Sequence, residues 1–283
     1  NDASSGTTTN APFKSVTKAL SVVNPGDTIY VRPGTYSGAH LAARSGTAES
    51  PIRLIGDSDG AIFGTPGVVT LSWNPRDALV ITADYFELHN IRITSTRIGV
   101  TWTNVVGGRM VGCTLESCHH MNMLANGSEV SVENSEIREA RGPGITVGSG
   151  SILTISDSKV LVSSHDGIVV STGGRAEILR CNISNNRQDG VDVQGGSARI
   201  VSCLYDTVPL RHAAFCDPGM PPAFAEWLRA ALSYSTGFVC ISRAVADEFH
   251  EMLRAIRYPR PVRIGATMYR YQQDVIVDEA PDH

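Results

Sequence analysis

Three aspartates near the end of a repeated stretch, Asp166, Asp189 and Asp192, give the first chemical lead in this 283-residue chain. Two of them stand in matching strings, His165-Asp166-Gly167-Ile168 and Gln188-Asp189-Gly190-Val191. If successive copies stack as strands, neighbouring copies lie about 4.8 Å apart and the two carboxyls share one patch. Asp192 points out of the same strand as Asp189 and joins them. Carboxylates that close cannot all ionise without cost, so either one of them holds its proton or a cation sits between them. The first outcome supplies a general acid for a glycosidic oxygen; the second suits calcium, which takes oxygen ligands. Arg141, Arg187 and His165 stand beside the aspartates, placed to pair with carboxylates or to take up a proton. The bland alternative is that Asp-Gly is the turn dipeptide of each repeat, with the aspartate holding its own backbone.

The elements that must position these residues follow from a repeat. Residues 127–149, 150–172 and 173–195 are three consecutive units of 23 residues, and looser copies flank them with a period of 22 to 23. Within each unit apolar and polar residues alternate, the two-residue period of strands with one buried face. Met110, Val132, Ile155, Ile178 and Ile200 form one inward file. Leu115, Ile137, Val160 and Ile183 form a second; Val100, Met121, Ile145, Ile168 and Val191 form a third. Asn90, Cys113, Ser135, Ser158, Cys181 and Cys203 are read as an inward ladder of small residues. Units this short cannot bury their own apolar face and must stack, which predicts a parallel β-helix. In this alignment His119, Pro143, Asp166 and Asp189 occupy one file, with His119 and Asn122 as candidate substrate contacts.

Composition marks a boundary. Of the 27 glycines, 24 precede residue 205, so residues 1–203 are read as the β-helix and 204–283 as a second segment. In the latter, a strand ends near Leu204, and Pro221-Pro222 opens a helix to about Tyr234. Phe238–Ile241 is a short strand, Ser242 caps a helix to about Ile256, and 262–265 is a further strand. Strand alternating with helix predicts a short, incomplete α/β segment. The formal charge is −4 with both signs interspersed, which offers nucleic acid no basic stripe. No apolar run approaches the roughly 20 residues of a membrane span. The opening NDASSGTTTN has no basic or apolar region of a targeting signal. Six cysteines without CxxC spacing make neither a zinc site nor a disulfide framework.

The stretch PFKSVTKALSVVNPGDTIYVRPGTY at 12–36 contains an amphipathic helix around Ser15–Val23, two Pro-Gly turns and a strand at Thr28–Val31. It resembles the N-terminal cap and first rung of pectin-lyase-like right-handed β-helix proteins, and PIRLIGDSDGAIF at 51–63 looks like their next rung. Over residues 10–203 this resemblance implies a right-handed parallel β-helix with a helical cap. It further implies extracellular or surface work on a polysaccharide as a lyase, hydrolase, uronate epimerase or binder. Such lyases present a lysine or arginine base, whereas Lys159 is the one lysine of the repeats and is expected on another sheet. Residues 201–265 resemble part of the N-terminal domain of family-four glycosyltransferases, through Tyr205-Asp206-Thr207-Val208-Pro209-Leu210-Arg211-His212 and Val239-Cys240-Ile241-Ser242-Arg243. That resemblance implies a Rossmann-like, GT-B type segment, acceptor-side roles for Asp206 and His212, and cytoplasmic work. It places the nucleotide-sugar pocket in a domain that only a longer parent would contain, so the chain reads as a fragment.

Overall fold

The computed structural model describes residues 1–204, 208–211, 213–235, 237–240, 243–259 and 262–266. They divide into two compact units, one of Asn1–Glu177 with Cys181–Ala198, the other of Ile178–Arg180 with Arg199–His283.

The first unit is a coil of seven rungs, each contributing one strand to each of three parallel sheets. The first sheet stacks Thr28–Val31, Ile52–Gly56, Phe86–His89, Gly108–Val111, Glu129–Glu133, Ile152–Ser156 and Arg175–Leu179. The second stacks Gly34–Ser37, Val69–Ser72, Arg92–Thr94, Thr114–Glu116, Glu136–Arg138, Lys159–Leu161 and Asn182–Ser184. The third stacks His40–Ala42, Leu79–Ile81, Ile98–Thr103, Met121–Asn126, Ile145–Val147, Ile168–Ser171 and Val191–Gln194. This is a parallel β-helix. Its interior is built from stacked files such as Leu54, Leu88, Met110, Val132 and Ile155, and Leu71, Ile93, Leu115, Ile137 and Val160, all buried.

Three corners per rung close the triangle, and from the third rung onward each holds a left-handed residue. Asn90, Gly112, Asn134, Asp157 and Arg180 turn the chain from the first sheet to the second. Ser95, Ser117, Glu139, Val162 and Asn185, with φ between 53° and 58°, turn it from the second to the third. Asn104, Gly127, Gly150, Gly173 and Gly195 return it to the first. A left-handed residue with a Cβ costs about 1–2 kcal/mol, which the stacked strands on either side must offset.

Two expected alignments shift. Gly112 pairs with Asn90, because Val111 is registered with His89, so Ile91 and not Asn90 matches Cys113. A Cβ on Gly112 would stand 2.5 Å from Asn90 Oδ1, so the asparagine side chain lies over the glycine. In the third sheet Met123, not Met121, pairs with both Val100 and Ile145. The third file is therefore Val100, Met123, Ile145, Ile168 and Val191. A two-residue slip keeps every side chain on its own face, and methionine at both 121 and 123 hides it.

At the N-terminus, Val16–Val22 forms a helix whose Ser15 side chain accepts from the Lys18 amide, an N-cap that satisfies an orphan donor. Val16, Ala19 and Leu20 are its buried face, packed against Thr28–Val31 and His40–Ala42 of the first rung. Asp57 and Asp59 accept from the amides of Ile62, Phe63 and Ala61, so Asp57-Ser58-Asp59 is a turn.

The second unit contains helices Val208–Arg211, Met220–Tyr234 and Arg243–Ala255 and the parallel strands Gly237–Cys240 and Arg263–Ala266, the former registered with Val201–Leu204. Its core joins Leu228, Ala231 and Leu232 to Phe238, Ala246, Phe249 and Leu253, with the Phe238 and Phe249 rings edge to face at 4.9 Å. The element positions follow the strand–helix alternation within a residue or so, and Ser242 lies outside the described residues. Three strands and two longer helices do not define a nucleotide-binding sheet, and the Rossmann-like, GT-B assignment gains no support from them.

Candidate functional site

The candidate residues lie on the edge where the chain passes from the second sheet to the third. After each left-handed corner residue comes a small buried or half-buried anchor: Thr96, Cys118, Ala140, Ser163 and Asn186. The next residue donates its amide to the anchor one rung back: His119 to Thr96 (2.7 Å), Arg141 to Cys118 (3.0 Å), Ser164 to Ala140 (2.8 Å), Arg187 to Ser163 (2.9 Å). His119, Arg141, Ser164 and Arg187 thus form one exposed file. Beside it runs a second, Arg97, His120, Gly142, His165 and Gln188, through the bonds from His120 to Arg97 (2.9 Å) and from Gln188 to His165 (3.4 Å). Glycine is required at 142, because a Cβ there would stand 2.1 Å from the His120 carbonyl oxygen.

The third file of this edge is Met121, Pro143, Asp166 and Asp189, so His119 does not top the aspartates as the repeat alignment expects. The register moves it by two residues, into line with Arg141 and Arg187. Of the predicted cluster, the structure stacks Asp166 and Asp189 on adjacent rungs, with Asp192 on the same strand flank. Their carboxylates have separate occupations. Asp166 is 7% exposed and its Oδ1 accepts the Asp189 amide at 2.9 Å, the turn role of an Asp-Gly pair. Asp189 is exposed, and Asp192 Oδ2 accepts from Gln194 Nε2 at 2.5 Å. Among the described residues no three His, Cys, Asp or Glu side chains converge into a metal site. This donor set does not fit the calcium expected for it.

Asn122 also departs from expectation. It is fully buried, its Oδ1 accepting from the Cys118 amide (3.3 Å) and its Nδ2 donating to the Arg138 carbonyl (2.9 Å). Both bonds satisfy backbone at the corner, and none of the side chain reaches solvent to meet a substrate. Asn186 repeats the device, accepting from the Ser163 amide (2.9 Å) and donating to the Val160 carbonyl (3.3 Å). Asp206 and His212 lie outside the described residues.

Arg97 is committed to Asp77 through two bonds of 2.9 and 2.7 Å. Arg141 and Arg187 take part in no ion pair among the described residues, and both are exposed. Next to the edge, the outward row of the third sheet is Thr101, Leu124, Thr146, Val169 and Asp192, uncharged until its last member. An uncharged strip beside two exposed guanidiniums can carry an acidic chain, with its apolar faces on the strip and its carboxylates on the guanidinium groups.

The remaining charge clusters lie on other faces. On the second sheet Glu116, 3% exposed, is clamped between Arg92 and Arg138, and Arg138 also meets Glu136 and Glu139. Lys159 stands on that sheet too, 3.9 Å from Glu136 and away from the cationic edge. On the first sheet Arg109 holds Glu133 bidentately, and that guanidinium lowers the carboxyl pKa. These are cross-rung pairs of the kind that hold strands in register. Sequence reasoning missed Glu116, whose signal is an acid one rung from an arginine on either side. Cys113 is buried, and desolvation pushes its thiol up to about 12, which leaves it unreactive.

A family model described as "Right handed beta helix region" matches residues 77–206. Among solved structures, the chain is similar to an alginate lyase from Paenibacillus sp. str. FPU-7, with 21% identity over 66% of this chain and 73% of that one and a TM-score of 0.54. It is also similar to a GH136 lacto-N-biosidase from Eubacterium ramulus, with 14% identity over 72% of this chain and a TM-score of 0.51. The chain spans 58% of the biosidase's length. There is no match among curated proteins. At these identities the likeness carries the fold: residues 1–198 are a right-handed parallel β-helix of the architecture found in polysaccharide-cleaving enzymes. Neither structure is a glycosyltransferase, and the resemblance of residues 201–265 to that class stands without support.

Proposed function

We propose that the β-helix binds an acidic polysaccharide along the edge between its second and third sheets and acts on it there. The observation that carries this reading is the alignment of Arg141 and Arg187, which take part in no ion pair among the described residues, with His119, His120 and His165 at rung spacing on one exposed edge. Rungs recur about every 4.8 Å, the same order as the separation of successive carboxylates along a polyuronate. A guanidinium paired with a uronate carboxylate withdraws charge and acidifies the adjoining carbon-bound proton. A neutral imidazole, His165 or His120, is the base type suited to take that proton. Loss of the glycosidic oxygen from the neighbouring carbon then leaves an unsaturated sugar and a free hydroxyl. Return of the proton to the other face would give epimerisation instead. Asp189 is the acid best exposed to serve the leaving oxygen, and Asp166 positions it through the 2.9 Å bond to its amide. Asp192 borders the strip.

The likeness to an alginate lyase supports a carbohydrate role. The test is incubation with a panel of pectic, alginate and neutral polysaccharides, followed both by ultraviolet absorbance of unsaturated product and by affinity electrophoresis. Retardation by acidic but not neutral polymers is expected, and its loss in Arg141→Ala/Arg187→Ala. Equal mobility in all gels would overturn the reading. Retardation without product would leave a binding module, the second reading. That role also suits a β-helix attached to a longer glycosyltransferase in polysaccharide synthesis, which the parallel strands of the second unit leave open.

A further inference from the structure

The second unit holds a cavity that the polysaccharide reading does not use. It measures about 490 Å³ and lies among the three helices, lined by Leu210 of Val208–Arg211, by Ala225, Leu228 and Leu232 of Met220–Tyr234, and by Met252 and Ile256 at the end of Arg243–Ala255. Helical spacing makes this surface, since Leu228 and Leu232, like Met252 and Ile256, are four residues apart and stand one above the other. Leu228 and Leu232 are 5% and 7% exposed and join the core of the unit, so they form the floor. Ile256 is 59% exposed and stands at the mouth. Ala225, one turn before Leu228, is exposed and too small to close the gap between the helices. The Tyr258 hydroxyl donates to the Leu232 carbonyl, which fixes the chain after the last helix as a wall and leaves that hydroxyl occupied.

The one charged side chain of the lining is Arg229. It is exposed and takes part in no ion pair among the described residues, not even with Glu226 one turn earlier. Arg254 and Arg257, which bracket Ile256 in the chain, are also exposed and also without an ion pair among the described residues. Glu248 and Glu251 of the same helix face Arg211, at 3.7 and 4.0 Å. An apolar hollow of several hundred Å³ with one convergent polar group has the form of a small-molecule site. Its lining favours a hydrocarbon leaving water, and its guanidinium matches the planar fork of a carboxylate.

We propose that this cavity binds a free single-chain aliphatic carboxylate, the hydrocarbon against Leu228, Leu232 and Met252 and the head group on Arg229. The second unit thereby has a ligand of its own, independent of any glycan on the β-helix.

The probe is sodium dodecanoate below its micelle concentration, titrated into the full chain by calorimetry at pH 7.5, with decanoate, octanoate and dodecylammonium for comparison. One saturable site per chain is expected, tightening about fourfold for each methylene that is buried. Arg229→Gln should weaken dodecanoate about three- to fivefold, the range of one exposed charge contact. Dodecylammonium, with the same tail and the opposite charge, should bind the native chain more weakly than dodecanoate and gain on it in that variant. Ala225→Trp, at an exposed position, should fill the mouth and abolish binding while the urea midpoint is kept; should it unfold, Arg229→Gln with the two head groups decides alone. Equal affinity for the two head groups, several molecules per chain, or binding retained in a folded Ala225→Trp overturns the proposal. So does a chain that sediments with dioleoylphosphatidylglycerol vesicles but takes up no free dodecanoate, which would make this surface a membrane contact.

Discussion

Replacing Asn122 with alanine separates a structural asparagine from a substrate-binding one. The side chain makes two bonds to buried backbone, at 3.3 Å to the Cys118 amide and 2.9 Å to the Arg138 carbonyl. Alanine leaves both groups in a corner where neighbouring rungs exclude water. Each orphaned buried group costs about 1–3 kcal/mol. The longer bond sits at the low end, and the carbonyl has a second lone pair that relaxation can satisfy, so the sum comes to about 2–4 kcal/mol. The assay is urea unfolding at pH 7.5, reading the midpoint at constant slope. Asn122→Asp is the companion variant: it keeps the acceptor for Cys118 but replaces the donor to Arg138 with a buried charge, and it should lose at least as much. A change below about 0.5 kcal/mol, the range of an ordinary surface substitution, would refute the corner argument and return Asn122 to the binding face.

Further tests address other parts of the coil. Glu116→Ala leaves Arg92 and Arg138 facing each other, and because both guanidiniums are partly exposed the loss should be about 1–3 kcal/mol, below that of a fully buried pair; an unchanged thermal midpoint would count against the clamp. His40 is 3% exposed, its Nδ1 lies 3.1 Å from the Thr17 hydroxyl, and its Nε2 has no partner, so burial lowers its pKa. Above the unfolded value of about 6.5 neither state takes the proton. Below it the unfolded chain does so first, and stability falls with a slope of at most about 1.4 kcal/mol per pH unit. His40→Gln should flatten that slope. In the native protein a maleimide should leave Cys113 unmodified while reaching the half-buried Cys216, and labelling of Cys113 without denaturant would refute its burial.

The coil itself was legible because its determinants are local and repeated. Alternation fixes the strands, equal spacing fixes the stack, and the Ser15 cap with Val16, Ala19 and Leu20 fixes the terminal helix. Arg141, His165 and Arg187 lie on one edge because each stands just before a strand whose inward residue the repeat identifies. What escaped was anything that depends on the neighbouring rung: the Glu116 clamp, the burial of Asn122 and the occupation of Asp166 by the Asp189 amide. A single strand's pattern says which face a residue takes, and it does not say what the next rung places beside it.

The position of His119 shows how much chemistry turns on that difference. Aligned through Met121, it would stand over Pro143 and Asp166 as part of a histidine–carboxylate group; aligned through Met123, it joins the file of Arg141 and Arg187. Hydrophobic alternation accepts both, because a slip of two preserves the inward face. The corner does not accept both. Cys118, Ala140, Ser163 and Asn186 each lie five residues before the inward residues Met123, Ile145, Ile168 and Val191, and each follows a residue held at positive φ. Sliding the strand by two would pull the anchor out of the corner and leave the amides of His119 and Arg141 without their carbonyls. The site's composition is therefore set by the geometry of the turn between the sheets, and the strand merely carries its consequences outward.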